Sequence, residues 1–404
     1  MSEAIPGPAP KNFRSRVDER LGRANRGPIA MWFWELDRVL LLLAFLLIAI
    51  GLIAVAAASP ATAQRYSGLS HQLAPMHYFW RQAMWIAVSV PVMLVVSMFP
   101  TAFARRFALG ACALFGLLLL ATPFVGVEVN GARRWIGVGI SQFQPSEFLK
   151  PVFIVTIAWM LSLRARDPDL PMVPVTLALT GVVGGALMLQ PDFGQTIIFG
   201  SVWLILLMIA GVNPKIIGGM IGAGIAGIIA AYIFYDTARI RIDNFLFPDH
   251  GGAGSDHYQT DMAHATITAG GLTGTGPGGG TVKCRLPEAH TDYVYSVVGE
   301  EFGLLACAII AILFLAIVVR VFVKLLDEED AFRVLAAAGL ASQFGVQATI
   351  NMAVNTGLAP SKGMTLPFIS YGGSSMIALS IGMGLLLAFT RRNPYLHRSP
   401  YIVR

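Results

Sequence analysis

The chain has 404 residues, 55% of them hydrophobic and only 13% charged, with a mean hydropathy of +0.65. Soluble domains carry about 25% charged residues, so this balance excludes an ordinary soluble fold and points to a polytopic membrane protein. The net charge of +6 does not signal nucleic acid, because the basic residues flank apolar runs, and the spacing of Cys112, Cys284 and Cys307 matches neither a disulfide framework nor a zinc site.

Residues 1–38 are polar and basic and lack an apolar core followed by a small-residue cleavage site, which predicts a retained cytoplasmic tail rather than a removable signal. The tail is expected to lack order until Trp32-Phe33-Trp34, whose rings suit a membrane interface. Ten apolar runs follow, each near the length of about 17–25 residues that crosses a bilayer as a helix. They cover 39–58, 84–99, 107–125, 148–163, 172–189, 196–210, 216–235, 294–319, 334–356 and 374–390. The predicted fold class is all-α, a ten-span membrane domain over 39–390 with a short basic tail at 391–404. An even number of spans leaves both termini on one side. Placing that side in the cytoplasm puts roughly two-thirds of the 29 Lys/Arg inside, as the positive-inside tendency requires. The one long loop, 236–293 between spans seven and eight, is then external.

Four external segments hold the polar chemistry. The first, "NGARRWIGVGISQFQPSEFLK", opens on the turn signal Asn130-Gly131. Arg133 and Arg134 run against the positive-inside tendency, and their forked donors suit phosphate or carboxylate, with lipid headgroups as the bland alternative. Pro145-Ser146-Glu147 marks a helix start, and Lys150 stands one turn on, where an i,i+3 ion pair with Glu147 is expected. The second segment, "QPDFGQ", joins two spans almost without a loop, and Asp192 there is a candidate cap for the helix beginning at Gln195.

The third segment begins with the glycine-rich "AGGLTGTGPGGGTVK". Its backbone amides can approach an anion closely, and it lacks the order of a nucleotide-binding loop. Lys283 and Arg285 directly after it suggest a pyrophosphate cradle. Next, "LPEAHTDYVY" predicts a helix after Pro287 with Glu288 and Asp292 on one face. Two acids so placed raise one another's pKa and tune one as a general base. His290 lies on another face, which argues against a Glu–His–Asp metal site. On spacing alone, Glu288, His290 and Asp292 are equal candidates. His250, His257 and His264 read as solvated loop residues. Glu300 and Glu301 point about 100° apart on the following helix and are expected as interior support with separate partners. The fourth segment, "NTGLAPSKGMTLPFISYGGSSM", alternates turn formers with hydrophobes and reads as a re-entrant loop carrying Lys362, a second candidate for the anion site.

Taken in order, these four strings resemble the SEDS family of bacterial membrane proteins (shape, elongation, division and sporulation) from about Trp34 to Asn393. The SKGMTLP and GARRWI strings and the basic tail lean to its division branch, while Tyr293 stands where the family usually has Phe. The resemblance implies a peptidoglycan glycosyltransferase that polymerises lipid II, an undecaprenyl-pyrophosphate-linked disaccharide peptide. It also implies a location in the bacterial inner membrane at the division septum, with the active face periplasmic. The implied partners are a class B penicillin-binding transpeptidase and other membrane proteins of the division machinery. The acid of the HTD triplet, Asp292, matches the family's catalytic acid, and Glu288 and His290 become substrate contacts beside it. Arg133, Arg134, Lys283 and Lys362 are the candidate cations for the pyrophosphate. No organic cofactor is identifiable, and a Mg or Mn ion at the pyrophosphate is left open, since no ligand set is readable. Two other functions are weighed: a lipid II transporter, which would place its ionisable groups near the midplane, and a scaffold recruiting a transpeptidase, which would tolerate loss of the buried acids.

Overall fold

The computed structural model describes residues 28–67, 72–129, 132–137, 142–234, 239, 242–243, 256–360 and 363–391. Both tails, the Asn130-Gly131 turn, His250 and Lys362 therefore lie outside the described residues, wholly or in large part. A short helix α1 (Pro28–Glu35) leads into α2 (Arg38–Tyr66), α3 (His77–Ser97) and α4 (Thr101–Val125). A small antiparallel hairpin, β1 (Val127–Val129) and β2 (Ala132–Trp135), precedes α5 (Pro145–Arg166). Then come α6 (Met172–Leu189), α7 (Phe193–Ile209), α8 (Pro214–Phe234) and α9 (Asp256–Ala269). A 3₁₀ turn (Val282–Arg285) leads to α10 (Val294–Leu325), α11 (Ala331–Asn355) and α12 (Gly373–Phe389).

All ten predicted spans are present as helices, α2 to α8 and α10 to α12. Seven are long and apolar enough to cross a membrane outright; α7 and α12 are shorter apolar helices, and α11 carries more polar residues. The reason they are not ordinary amphipathic helices is visible on α2. Its buried face of Leu40, Ala44, Leu47 and Ile48 is matched by Val39, Leu42, Leu46 and Ile53 on the exposed face. A helix apolar all round belongs in lipid.

α5 is the hub and packs on α4, α6, α7, α11 and α12. α8 stands apart, with substantial contact only to α7 and with almost no buried residues along its length. α2 and α10 run antiparallel. At one end the Asp37 carboxylate caps α2 and pairs with Arg320 and Lys324, each at 3.1 Å. At the other end Tyr66 meets Glu288. That second end also gathers the hairpin, the starts of α5 and α7, and the 363–372 segment.

Two expectations fail here. The loop between spans seven and eight is partly helical, so His257 and His264 sit on α9 rather than in a loop. The helix predicted after Pro287 does not form. Residues 287–293 are consecutive turns, Glu288 has a left-handed φ of 48°, and α10 starts only at Val294. The Glu288 carbonyl accepts from the amides of Thr291 and Tyr293, which closes a turn in place of a helical ladder.

Candidate active site

α10 is broken at Gly303, whose φ of 80° and ψ of 177° end one helical segment and start another. A break inside a span leaves carbonyls and amides without helical partners, and these must be satisfied by protein. The glycine-rich tract supplies them. The amides of Thr275 and Gly276 donate to the carbonyls of Glu300 (2.9 Å) and Glu301 (3.0 Å), while the amides of Leu304 and Leu305 donate to the carbonyls of Gly271 and Leu272. Gly274, at a φ of 85°, lies so close to the Glu301 backbone that a Cβ would collide with it.

The same tract cradles an anion, but one that belongs to the protein. The Glu300 carboxylate accepts from the amides of Val282 (2.7 Å) and Lys283 (2.9 Å). Glu301 accepts from the amide of Gly278 at 3.2 Å and forms an ion pair with Lys283 Nζ, which also donates to the Ala57 carbonyl. All three charged side chains are buried. Glu300 and Glu301 are thus both buried and partnered, and they converge on one loop segment because the tract wraps around the helix. Lys283 was expected to meet a substrate anion; in the structure it is buried, and its ammonium is engaged by Glu301 and the Ala57 carbonyl.

Around Asp292 the pattern is reversed. Its carbonyl accepts from Asn351 Nδ2 (2.8 Å) and Asn355 Nδ2 (3.0 Å). Its half-buried carboxylate faces the backbone at Gly363 and has no hydrogen-bond donor among the described residues. Burial first, then the negative charges of Glu288, Glu147 and Asp192, push Asp292 up to about 7, against the pull of Arg134. Glu288 accepts from the Tyr66 hydroxyl (2.9 Å) and the Thr291 hydroxyl (2.7 Å). His290 is buried against Tyr78 (ring centroids 4.3 Å apart) and Tyr371 (5.2 Å), with Tyr66 further out and its Nδ1 unpartnered. Burial pushes its pKa down to about 4, so it is neutral at pH 7.

On the other side of Asp292, Lys150 pairs with Glu147 at 2.9 Å and donates to Gln347 Oε1 at 3.1 Å. Glu147 also accepts from Gln195 at 2.7 Å. Asp192 caps α7 through the Gln195 amide and accepts from Gln144. Both expected local devices, the i,i+3 pair and the cap, are therefore present. Burial raises the Asp192 pKa, with Arg134 opposing.

The two arginines separate. Arg134 donates to the carbonyls of Gln190 (3.0 Å) and Pro191 (2.7 Å), tying the hairpin to the α6–α7 junction. Arg133 is exposed and meets Glu128 across the hairpin at 3.4 Å. The fourth segment is buried as predicted for re-entrant backbone: Met364, Leu366, Phe368 and Ile369 are all inside, and the Ser370 hydroxyl accepts from the Leu366 amide. Lys362, just before it, lies outside the described residues. An apolar cleft of about 420 Å³ between α7, α10 and α11 is lined by no ionisable side chain.

A family model described as cell cycle protein, covering FtsW, RodA and SpoVE, matches residues 37–395. The chain belongs to this FtsW/RodA/SpoVE family. It is 38% identical over 384 residues to a Caulobacter vibrioides protein named "Probable peptidoglycan glycosyltransferase FtsW", covering 94% of this chain and 95% of the relative. Among solved structures it resembles a chain of a peptidoglycan synthase complex described as coordinating polymerization and crosslinking. That match has a TM-score of 0.71 and 26% identity, and covers 88% of this chain and 97% of the other. The Thermus thermophilus rod shape determining protein RodA matches with a TM-score of 0.63 and 25% identity, covering 88% and 96%. The FtsW resemblance read from the four strings is borne out.

Sequence reasoning missed Tyr66, Tyr78 and Tyr371 around His290, and the carboxamides of Gln347, Asn351 and Asn355. The aromatic trio has no local signal, since it comes from three distant segments. The carboxamides do: they recur every four residues along one apolar span.

Proposed function

We propose that this FtsW-family protein is a peptidoglycan glycosyltransferase that polymerises lipid II at the division septum, with Asp292 as the general base. The observation that supports this most is the state of Asp292, which is held through its main chain while its carboxylate has no hydrogen-bond donor among the described residues. A base is most useful when its pKa lies near the working pH, and about 7 meets that requirement. In the reaction, the 4-hydroxyl of an acceptor N-acetylglucosamine attacks C1 of a donor sugar. Its proton passes to Asp292, the new C1–O bond forms, and the C1–O bond to undecaprenyl pyrophosphate breaks with the electron pair leaving on the pyrophosphate.

Charge developing on that leaving group calls for cations. Arg133, which is exposed, and Lys362, which lies outside the described residues, take this role in our reading. Arg134 acts at one remove, by holding the α6–α7 junction and lowering the Asp292 pKa. A Mg or Mn ion at the pyrophosphate stays part of the proposal as a substrate-held ion. Among the described residues no three His, Cys, Asp or Glu converge on one point, and no step here depends on such an ion.

The positive-inside distribution supports a bacterial inner-membrane orientation with both termini cytoplasmic and the Asp292 end periplasmic. The likeness to a chain of a complex that joins polymerization to crosslinking supports a class B penicillin-binding transpeptidase as partner, with other division proteins around it. A transporter reading is not favoured, since Glu147, Asp192, Glu288 and Asp292 gather at one end of the bundle. In an assay of glycan formation from lipid II with the transpeptidase present, Asp292→Asn should lower the rate at least about 10²- to 10⁴-fold. Lipid II binding and partner association should be retained. Polymer formation at the parental rate by that variant would refute the base assignment.

A further inference from the structure

Gln343, Gln347, Asn351 and Asn355 occupy every fourth position of α11, so they stack on one face of an otherwise apolar span. All four are buried. A buried carboxamide in a membrane helix is tolerated only when its donors and acceptors are met, and here the partners form a continuous line. Gln343 donates to Gln347 Oε1 (3.0 Å), which also receives Lys150 Nζ, while Gln347 Nε2 donates to the Thr365 carbonyl (2.9 Å). Asn351 Nδ2 spends its two hydrogens on the carbonyls of Asp292 (2.8 Å) and Met364 (2.6 Å). Asn355 Nδ2 adds a second donor to the Asp292 carbonyl, and its Oδ1 accepts from the amide and hydroxyl of Ser296 in the first turn of α10.

We propose that this carboxamide ladder positions the base. Asn351, seconded by Asn355, fixes the Asp292 main chain against the 364–366 segment so that the carboxylate is held in place through its peptide, with no hydrogen-bond donor to it among the described residues. The ladder also joins Asp292 to the Glu147–Lys150 pair through Gln347 and the 364–366 strand of backbone. Asn351 and Asn355 are positioning residues: they touch the peptide of Asp292 and not the reacting atoms. Irregular backbone at 286–293 and 363–372 has no ladder of its own to keep it in register, so α11 provides the ruler. The proposal rests on Asp292 being the base.

The test compares full-length parent, Asn351→Ala, Asn355→Ala and Asp292→Asn in lipid II polymerisation with the transpeptidase present, reading kcat, KM and the pH profile of kcat. Displacing a reacting group by about 1 Å can cost 10²-fold, so Asn351→Ala should lose about ten- to a hundredfold in kcat with KM within about twofold. Asn355→Ala removes one of two donors and should lose less. In both, the freed carboxylate gains water and its pKa falls, so the acidic limb of the profile moves to lower pH. A merely structural role would lower the amount of folded enzyme without moving that limb. If Asn351→Ala does not fold, a kcat loss and limb shift in Asn355→Ala carry the proposal. Parental kcat and limb in the folded variants, with Asp292→Asn inactive, would overturn the ladder while leaving the base intact. An active Asp292→Asn would overturn the base first.

Discussion

The segment from Lys283 to Glu301 holds two clusters of charge that look alike in sequence and are opposites in space. Lys283 pairs with Glu301, Glu300 accepts from the amides of the glycine tract, and all three are buried. Asp292, nine positions from Lys283, is anchored by its carbonyl, and its carboxylate has no hydrogen-bond donor among the described residues. The first cluster is used to hold a broken helix together; the second keeps one group chemically available. Gathering of charge alone does not identify a reacting residue. What separates the two is where the hydrogen bonds go.

The sharpest way to break this contrast, after Asp292→Asn itself, is to disturb the spent cluster. Lys283→Met leaves Glu301 buried without its cation, and losing one member of a buried pair costs about 3–5 kcal/mol. Its thermal unfolding in detergent should fall well below the parent's, while the double variant Lys283→Met/Glu301→Gln recovers part of the loss. An unchanged melting temperature together with weaker lipid II binding would move Lys283 back to the substrate site.

The cations assigned to the pyrophosphate should behave in the opposite way. Arg133→Ala removes an exposed pair worth no more than about 1 kcal/mol to the fold, so stability should hold. Lipid II affinity should weaken several-fold, and Lys362→Ala should do the same. Equal affinity in both variants would leave the leaving group without the contacts proposed here.

The smallest expected effect is electrostatic. Glu288→Gln removes one of the negative charges that raise the Asp292 pKa, so the acidic limb of the pH–rate profile should shift downward by a fraction of a unit to about one unit. A Gln side chain still accepts from Tyr66 or Thr291, which limits structural damage. An upward shift would mean that Glu288 does not face Asp292 as a charge.

The spans were legible because apolar length is the main determinant of a membrane helix: each of the ten runs became a helix, seven of them long and apolar enough to cross a membrane. The Glu147–Lys150 pair and the Asp192 cap were legible for the same reason: both partners lie within one turn of each other. What was not legible depends on chain segments returning to one another. Lys283 meets Glu301 only because the glycine tract folds back over the Gly303 break, and Glu288 meets Tyr66 across 222 positions. The predicted helix at 287–293 failed because two acids at a spacing of four fit a turn as readily as a helix face. The carboxamide stripe on α11 was present in the sequence from the start. Its period matches that of the helix, but its partners are backbone carbonyls, which leave no mark in the residue types.

The central claim is that Asp292 is the group that takes the proton. The most direct test is the pH dependence of single-turnover glycan transfer by the parent enzyme, with the partner present and lipid II saturating. The account predicts a rate that falls on the acidic side with a midpoint near pH 7, where burial and its acidic neighbours place Asp292. A rate that stays level down to the ordinary carboxylate range near pH 4 would contradict it.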